Sequence, residues 1–364
     1  MRIYTRLTWR AASDKIHMIE LSNTIVKRSP VSNKSKHRDR TILLARIAEM
    51  HYLDGKNQNE IAQEIGMTRS NVSRLLKEAR EKNIVKIQVI HPVQENDLLS
   101  QELVTRFELI DAHVIQVHQT KQLLHTLGKV AGKELTKYLE PDISLGTTWG
   151  TAVSATIDQL EITNRIPNIK VVQLLGAVGS RIQVYDGHGI VRRLEEILDA
   201  EGIYINAPYF VESATAAELL LRTPSIKESI NACKEVDVAL LGVGSLDFSH
   251  CSYYLAGYMP EHELLEIQKT GAIGDVSGRF YNINGEKVAQ SYQDRLIGIP
   301  FEDLLKIPIR IGVAGGREKI DPIIGALRGK LINVLITDSD TAMEVLEKTN
   351  HLSINNFKAG DYGI

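Results

Sequence analysis

The chain has 364 residues, of which 43% are apolar, 24% charged and 5% aromatic. That much apolar residue can bury a core large enough to offset chain entropy, which excludes a disordered polymer. No apolar run approaches the roughly 18–20 residues of a membrane span, so a soluble protein with no membrane partner is expected. The net charge of −2 hides an asymmetry: residues 1–92 carry +9 and residues 93–364 carry −11. A basic start on an acidic body predicts a polyanionic partner for the first segment only. Two cysteines, Cys233 and Cys251, form neither a CxxC pair nor a disulfide framework, which favours a reducing, cytoplasmic setting.

Residues 1–38 are basic and lack the apolar centre of a secretory signal, and residues 32–40 (SNKSKHRDR) have nothing to pack. They read as a disordered tail, with a basic arm touching DNA phosphates as the alternative. Residues 39–91 read as a DNA-binding domain. Leu43, Ile47, Met50 and Tyr52 predict a helix from residue 42 that ends at Asp54-Gly55. A short helix over residues 59–65 follows, with Ile61, Ala62 and Ile65 on one face. Gly66 permits a tight turn, and Thr68 suits the N-cap of a third helix running to about residue 82. Val72, Leu75, Leu76 and Ala79 form its inward stripe, and alternation over residues 84–90 predicts a strand, one arm of a small wing.

This is a helix–turn–helix pattern. Arg69, Ser70, Asn71, Ser73, Arg74 and Lys77 remain outward on the second of its two helices, whose N-terminal residues enter the major groove in such units. Gln58 and Asn59, opening the preceding helix, suit phosphate contacts that set register, and Thr68 belongs to the same interface. The alternative is an ordinary two-helix packing unit with a solvated polar face. Basic side chains gathered on one face of a chain that is otherwise acidic argue against it, so double-stranded DNA is the expected partner.

An amphipathic segment over residues 95–107 predicts a helix linking two domains (92–108). From residue 109 onward, buried-strand runs (AHVIQVH, ISLG, IKVVQLLG, VDVALLGVG, IRIGVAGG, INVLITD) alternate with helical stretches over 124–139, 151–160 and 190–200. The expected fold class is α/β, with a mainly parallel sheet covered on both faces and ligands beyond the carboxyl ends of its strands.

The helix–turn–helix followed by Glu81-Lys82-Asn83-Ile84-Val85-Lys86-Ile87, then GTTWG at 146–150, ALLGVGS at 239–245, GAIGDVSGRF at 271–280 and AGGREK at 314–319, resembles the SorC family of sugar-responsive transcriptional regulators. The resemblance covers roughly residues 40–350. It implies a large domain similar in fold to sugar-phosphate isomerases, a small phosphorylated sugar as effector, and assembly as a homodimer or homotetramer.

The strand exits carry the effector candidates. Gly146, Thr147, Thr148 and Trp149 precede a helix, where backbone N–H groups and hydroxyls suit a phosphate or polyol; a strand-to-helix turn that needs the glycine and a Thr cap is the equal alternative. Gly315 and Gly316 let a ligand approach the backbone, and Lys319 offers a point charge; a glycine turn followed by a solvated, charged helix start is the alternative. The resemblance implies that this lysine contacts effector phosphate, while Arg317 reads as a surface residue. Asp275 suits sugar hydroxyls, as the resemblance also implies, or caps its own turn; Arg279 reads as a brace for that loop. Gly242 and Gly244 read as close-approach turns, and residues 186–189, with His188, as a flexible loop at the same rim. No cofactor, metal site or catalytic set is expected: there is no HExxH, metal-ligand spacing, GxSxG or full P-loop. An isomerase-like enzyme and a sequence-nonspecific architectural DNA binder are the alternatives.

Overall fold

Small polar caps and a left-handed glycine divide the first unit into three helices: α1 (Asn33–Tyr52), α2 (Gln58–Ile65) and α3 (Arg69–Glu81). Asn57 caps α2 through its side chain, which accepts from the Asn59 and Glu60 N–H groups, while the Glu60 carboxylate accepts in return from the Asn57 N–H at 2.8 Å. Gly66 sits at φ 69°, closing α2 in a conformation that costs glycine nothing. Thr68 Oγ1 accepts from the Asn71 N–H at 3.2 Å and starts α3. Leu44, Ile47, Ala48, Met50, Ile61, Ala62, Val72, Leu75, Leu76 and Ala79 share one core.

The structure, a computed structural model, describes residues 33–85, 93–117, 122–177 and 186–357, with side chains from Arg40 to Asn350. Two expectations for the first unit change. Helix α1 begins at Asn33, well before residue 42, so residues 33–38 are helical backbone and not disordered tail. Arg40, in the stretch that was to have nothing to pack, pairs with Glu78 of α3. The inward stripe of α1 runs through Leu44, Ile47 and Ala48, while Tyr52 is exposed, because the three-helix core selects one face of a helix apolar on more than one. Residues 86–90 of the expected wing, and residues 1–32 of the tail, lie outside the described residues; Ile84 and Val85 pack on the helical core.

The division between two compact units falls between His91 and Pro92. The larger unit opens with β1 (Gln94–Glu95), α4 (Asp97–Phe107), β2 (Asp111–Gln116), α5 (Leu123–Thr136), β3 (Ser144–Thr147), α6 (Thr151–Ile157) and β4 (Lys170–Gln173). It continues through α7 (Gly187–Leu198), β5 (Glu201–Ile203), α8 (Ala214–Leu221), α9 (Pro224–Lys234), β6 (Val238–Gly242), β7 (Gly244–Ser245), α10 (Ser252–Leu255) and α11 (Glu261–Lys269). Then come β8 (Gly274–Val276), β9 (Arg279–Tyr281), α12 (Gln290–Gln293), α13 (Phe301–Leu304), β10 (Ile309–Val313), α14 (Ile320–Arg328), β11 (Val334–Asp338) and α15 (Ser339–Phe357).

Eight strands form the main sheet in the order β1-β2-β11-β10-β6-β3-β4-β5, all parallel except the edge strand β1. The expected α/β class with a covered parallel sheet is what folds. Leu145, Val171, Leu240, Ile311 and Ile336 face helices α5, α6 and α7. Val172, Ala239, Leu241 and Leu335 face the opposite layer, which includes α4, α9, α14 and α15. Helix α4 is therefore a cover of the sheet and not a free-standing linker: Leu103 is fully buried, and Arg106 donates to Leu346 O at 2.6 Å and Thr349 Oγ1 at 3.1 Å. After β3 the chain winds outward through β4 and β5, then returns with β6 beside β3 and winds the other way through β10 and β11. The winding reverses between β3 and β6, the place where such sheets open a crevice. A three-stranded antiparallel sheet, β7-β8-β9, stands beside the exit of β6. Among the described residues no helix is long and apolar enough to cross a membrane.

Candidate functional site

A cavity of about 430 Å³ opens at that reversal. Thr148, Trp149, Gly150 and Thr151 leave β3 to form one wall, and Gly242, Val243, Gly244 and Ser245 leave β6 to form the next. Val313, Ala314 and Gly315 follow from β10, with Glu318 and Lys319 in the short 3-10 turn before α14. Asp275 of β8, the segment holding Ser252, Tyr253 and Leu255, and Leu123 and Leu124 of α5 also line it.

Asp275 is held by the hairpin it belongs to. Ser277 and Gly278, at φ 54° and 71°, make the two-residue turn between β8 and β9, and the Gly278 N–H donates to Asp275 Oδ2 at 3.0 Å. The Tyr253 hydroxyl donates to the same oxygen at 2.7 Å. Asp275 thus caps its own turn and also presents a carboxylate to the cavity; both readings of this residue apply. The other oxygen, Oδ1, lies where a Cβ on Gly244 would stand, only 1.8 Å away, so the β7–β8 pairing requires glycine at 244. Burial raises the Asp275 carboxyl above its ordinary value, opposed by the Tyr253 and Gly278 hydrogen bonds and the charge of Lys319.

Lys319 lines the cavity, and its ammonium makes no hydrogen bond or ion pair among the described residues. Burial lowers its pKa below the ordinary value, and the carboxylates of Asp275 and Glu318 act in the other direction. A half-buried ammonium without a hydrogen-bond partner among the described residues can still take an acceptor, which an anionic group on a polyol would supply. Two aromatic rings line the cavity, Trp149 meeting Tyr253 edge-on at 5.0 Å, and Tyr253 stacks in turn on Tyr209 behind it at 5.3 Å. The Trp149 Nε1–H is buried without a partner among the described residues.

The cavity gathers five of the eight residues expected at the effector site: Thr148, Trp149, Asp275, Gly315 and Lys319. Gly146 is not at the cavity. It lies inside β3, where a Cβ would come within 2.8 Å of Val236 Cγ1 and 2.9 Å of Leu174 Cδ1, so it serves close packing. Thr147 is buried in the same strand, its hydroxyl on the Thr148 carbonyl at 3.3 Å. The Gly316 N–H is already taken by Asp338 Oδ2 at 3.0 Å and Thr341 Oγ1 at 2.8 Å, and locks the exit of β10 to the start of α15. Gly242 and Gly244 do line the cavity. Arg279 is the expected brace: it is buried and donates to the carbonyls of Ile299, Gln293 and Gly298.

Residues 186–189 are the start of α7, with Asp186 as the cap accepting from the Gly189 N–H at 2.7 Å, and not a flexible rim loop. His188 stacks on Tyr204 and is absent from the cavity lining. Tyr253 was missed, because nothing in HCSYYLAGY distinguishes one tyrosine from its neighbour before the fold brings it under Asp275.

In the first unit, Arg69, Ser70, Asn71, Ser73, Arg74 and Lys77 are all exposed on α3, and Thr68 is exposed at its cap. Arg74 Nη2 lies 3.4 Å from Asn71 Oδ1, so the guanidinium and the amide share one face. Asn59 is exposed and Gln58 half-buried in the first turn of α2.

Comparison with known proteins agrees with this division. Residues 91–347 match the family described as "Putative sugar-binding domain", and residues 36–82 match "Sigma-70, region 4". The chain is 34% identical over 306 residues to the transcriptional regulator LsrR of Enterobacter sp. (strain 638), covering 84% of this chain and 92% of that one. The chain belongs to the SorC family of sugar-responsive transcriptional regulators. A second relative, the deoxyribonucleoside regulator of Bacillus subtilis (strain 168), is 29% identical over 308 residues, covering 84% of this chain and 97% of that one. The crystal structure of the full-length sorbitol operon regulator SorC from Klebsiella pneumoniae superposes with a TM-score of 0.64 at 28% identity, covering 85% of this chain and 99% of that one. This SorC-family chain is thus a DNA-binding transcriptional regulator with a sugar-binding domain, as its relatives are transcriptional regulators.

Proposed function

We propose that the cavity between the exits of β3, β6 and β10 is the effector site, and that it takes a small phosphorylated sugar or polyol. The observation that carries this reading is the unpaired Lys319 ammonium in the same cavity as the Asp275 carboxylate. Lys319 holds the anionic group, Asp275 accepts from hydroxyls, and Thr148, Trp149 and Gly315 shape the wall. The relatives named for a sorbitol operon and for deoxyribonucleosides support a sugar-derived effector.

DNA is read by the exposed face of α3: Arg69, Ser70, Asn71, Ser73, Arg74 and Lys77 face the major groove, while Gln58, Asn59 and Thr68 set register on the backbone. Working as a cytoplasmic homodimer or homotetramer, paired units bind half-sites about 34–36 Å apart, or a multiple of that spacing. The effector shifts a population between two arrangements that differ in operator affinity.

The test is a panel of sugars and their phosphate esters offered to the purified full chain, with thermal stability and operator binding both recorded. Saturable stabilisation by a phosphate ester, without turnover and with a change in operator affinity, is the expected result. If neutral sugars alone stabilised the protein, or if operator binding never changed, the reading would be wrong.

A further inference from the structure

A second group of charged side chains lies at the far end of the sheet from the effector cavity. The alternation of β2 puts Asp111, His113 and Ile115 on the face that α5 covers, and α5 brings Glu134 and Lys137 to the same place. Strand β1 adds Glu95. The Nδ1 of His113 lies 2.8 Å from Glu95 Oε2, which makes Nδ1 the donor. Nε2 then faces two carboxylates, Glu134 Oε2 at 2.9 Å and Asp111 Oδ2 at 3.4 Å. A neutral imidazole would turn its lone pair on those oxygens, so a positive species has to sit between them.

The Glu134 side chain is 1% exposed. Its Oε2 is buried, with Nε2 of His113 and the Lys137 ammonium both against it. One ligand-type atom each of Asp111, His113 and Glu134 thus lies within 4.8 Å of the other two. We propose that Asp111, His113 and Glu134 are the ligands of a divalent transition-metal ion of the zinc class, with Glu95 orienting the imidazole from behind.

One imidazole nitrogen with two carboxylates is a donor set that suits zinc and its neighbours better than magnesium or calcium. Tetrahedral bonds of about 2.0–2.1 Å set donor separations of about 3.3–3.4 Å. The Asp111–His113 separation of 3.4 Å already meets that edge, and the His113–Glu134 separation of 2.9 Å opens slightly. A carboxylate on the far nitrogen of a ligating histidine is the usual outer support of such a site. Without the ion, the Lys137 ammonium on Glu134 and a proton on His113, held up to about 9 by Glu134, supply the positive charge. The metal displaces both, and Lys137 is half exposed and free to swing outward.

The experiment is calorimetric titration of chelator-stripped full chain with Zn²⁺ alone, supported by the visible spectrum of the Co²⁺ form. One ion per chain is expected, with the intense absorption of four-coordinate cobalt. Binding should be lost in His113→Ala and Glu134→Gln, and weakened roughly 10–100-fold in Glu95→Gln. Lys137→Met removes only the competing charge, from a half-exposed position that leaves the fold alone, and should tighten binding. Zinc binding that is absent from the parent chain, that is unaffected by Glu134→Gln, or that is no tighter in Lys137→Met would overturn the proposal.

Discussion

Lys319 and Asp275 show how two ordinary residue types acquire a role from where they stand. On the proposed effector role, replacing Lys319 by Ala should remove a charge-assisted contact of about 1.5–3 kcal/mol, roughly a 10- to 100-fold loss of affinity for a phosphorylated effector. Calorimetry reads that loss, and operator binding in the absence of effector should not change. The pH dependence follows from the same pair. Burial lowers the Lys319 pKa, so the charged ammonium is lost earlier than usual as pH rises, and phosphate-ester affinity falls on the alkaline side. Burial raises the Asp275 carboxyl, so its ionised form is lost earlier as pH falls, and affinity weakens on the acid side as well. A bell-shaped affinity profile is the expected outcome, and its alkaline limb should vanish in Lys319→Ala. Gly244 makes a sharper geometric prediction. An added methyl collides with Asp275 Oδ1, whereas one at Gly242 meets nothing within 4 Å. Gly244→Ala should therefore lower Tm and effector affinity together, at about 1–3 kcal/mol of overpacking strain. Gly242→Ala should keep the parent Tm.

At the scale of elements, the reading helix depends on its first turn. Thr68 supplies the one side-chain cap on α3, accepting from the Asn71 N–H. Thr68→Ala should destabilise α3 by about 0.5–2 kcal/mol. Faster amide exchange at Asn71 and along α3, with exchange in the main sheet unchanged, would check it. The cap and the α3 stripe were legible beforehand because both are local: a threonine before a helix and apolar residues three and four apart act through their immediate neighbours. The start of α1 was not, because the residues that open it, NKSKHRDR, carry no apolar stripe. Residues 186–189 look like a glycine loop for another reason. Gly187 is glycine because the Gln173 amide lies 2.7 Å from where a Cβ would be, a contact that no local pattern reveals.

For the molecule as a whole, the two units predict separable defects. Arg74→Ala should weaken operator binding by about 1–3 kcal/mol while leaving effector affinity untouched. Gel-shift and calorimetric measurements on one preparation distinguish that pattern from misfolding, which would reduce both. The coupling between sites is reciprocal: an effector that weakens operator binding by some factor must itself bind more weakly, by that factor, to the operator-bound protein.

The sequence by itself determined the order of the two units, the helix–turn–helix, the α/β class and most strand exits that wall the cavity. Those features rest on periodicity, caps and breakers, which are short-range. It also supplied Asp275, Lys319, Thr148, Trp149 and Gly315 as candidates. Tertiary structure alone decided which glycines serve the cavity and which serve packing. Gly146 and Gly316 look like their neighbours in the sequence, yet one faces Val236 and Leu174, and the other gives its N–H to Asp338 and Thr341. Tertiary structure also placed Tyr253 against Asp275, and Glu95, Asp111, His113 and Glu134 around one point. The physical reason is common to all of these: the free energy of such a contact depends on a partner tens or hundreds of residues away, which only the closed sheet brings near.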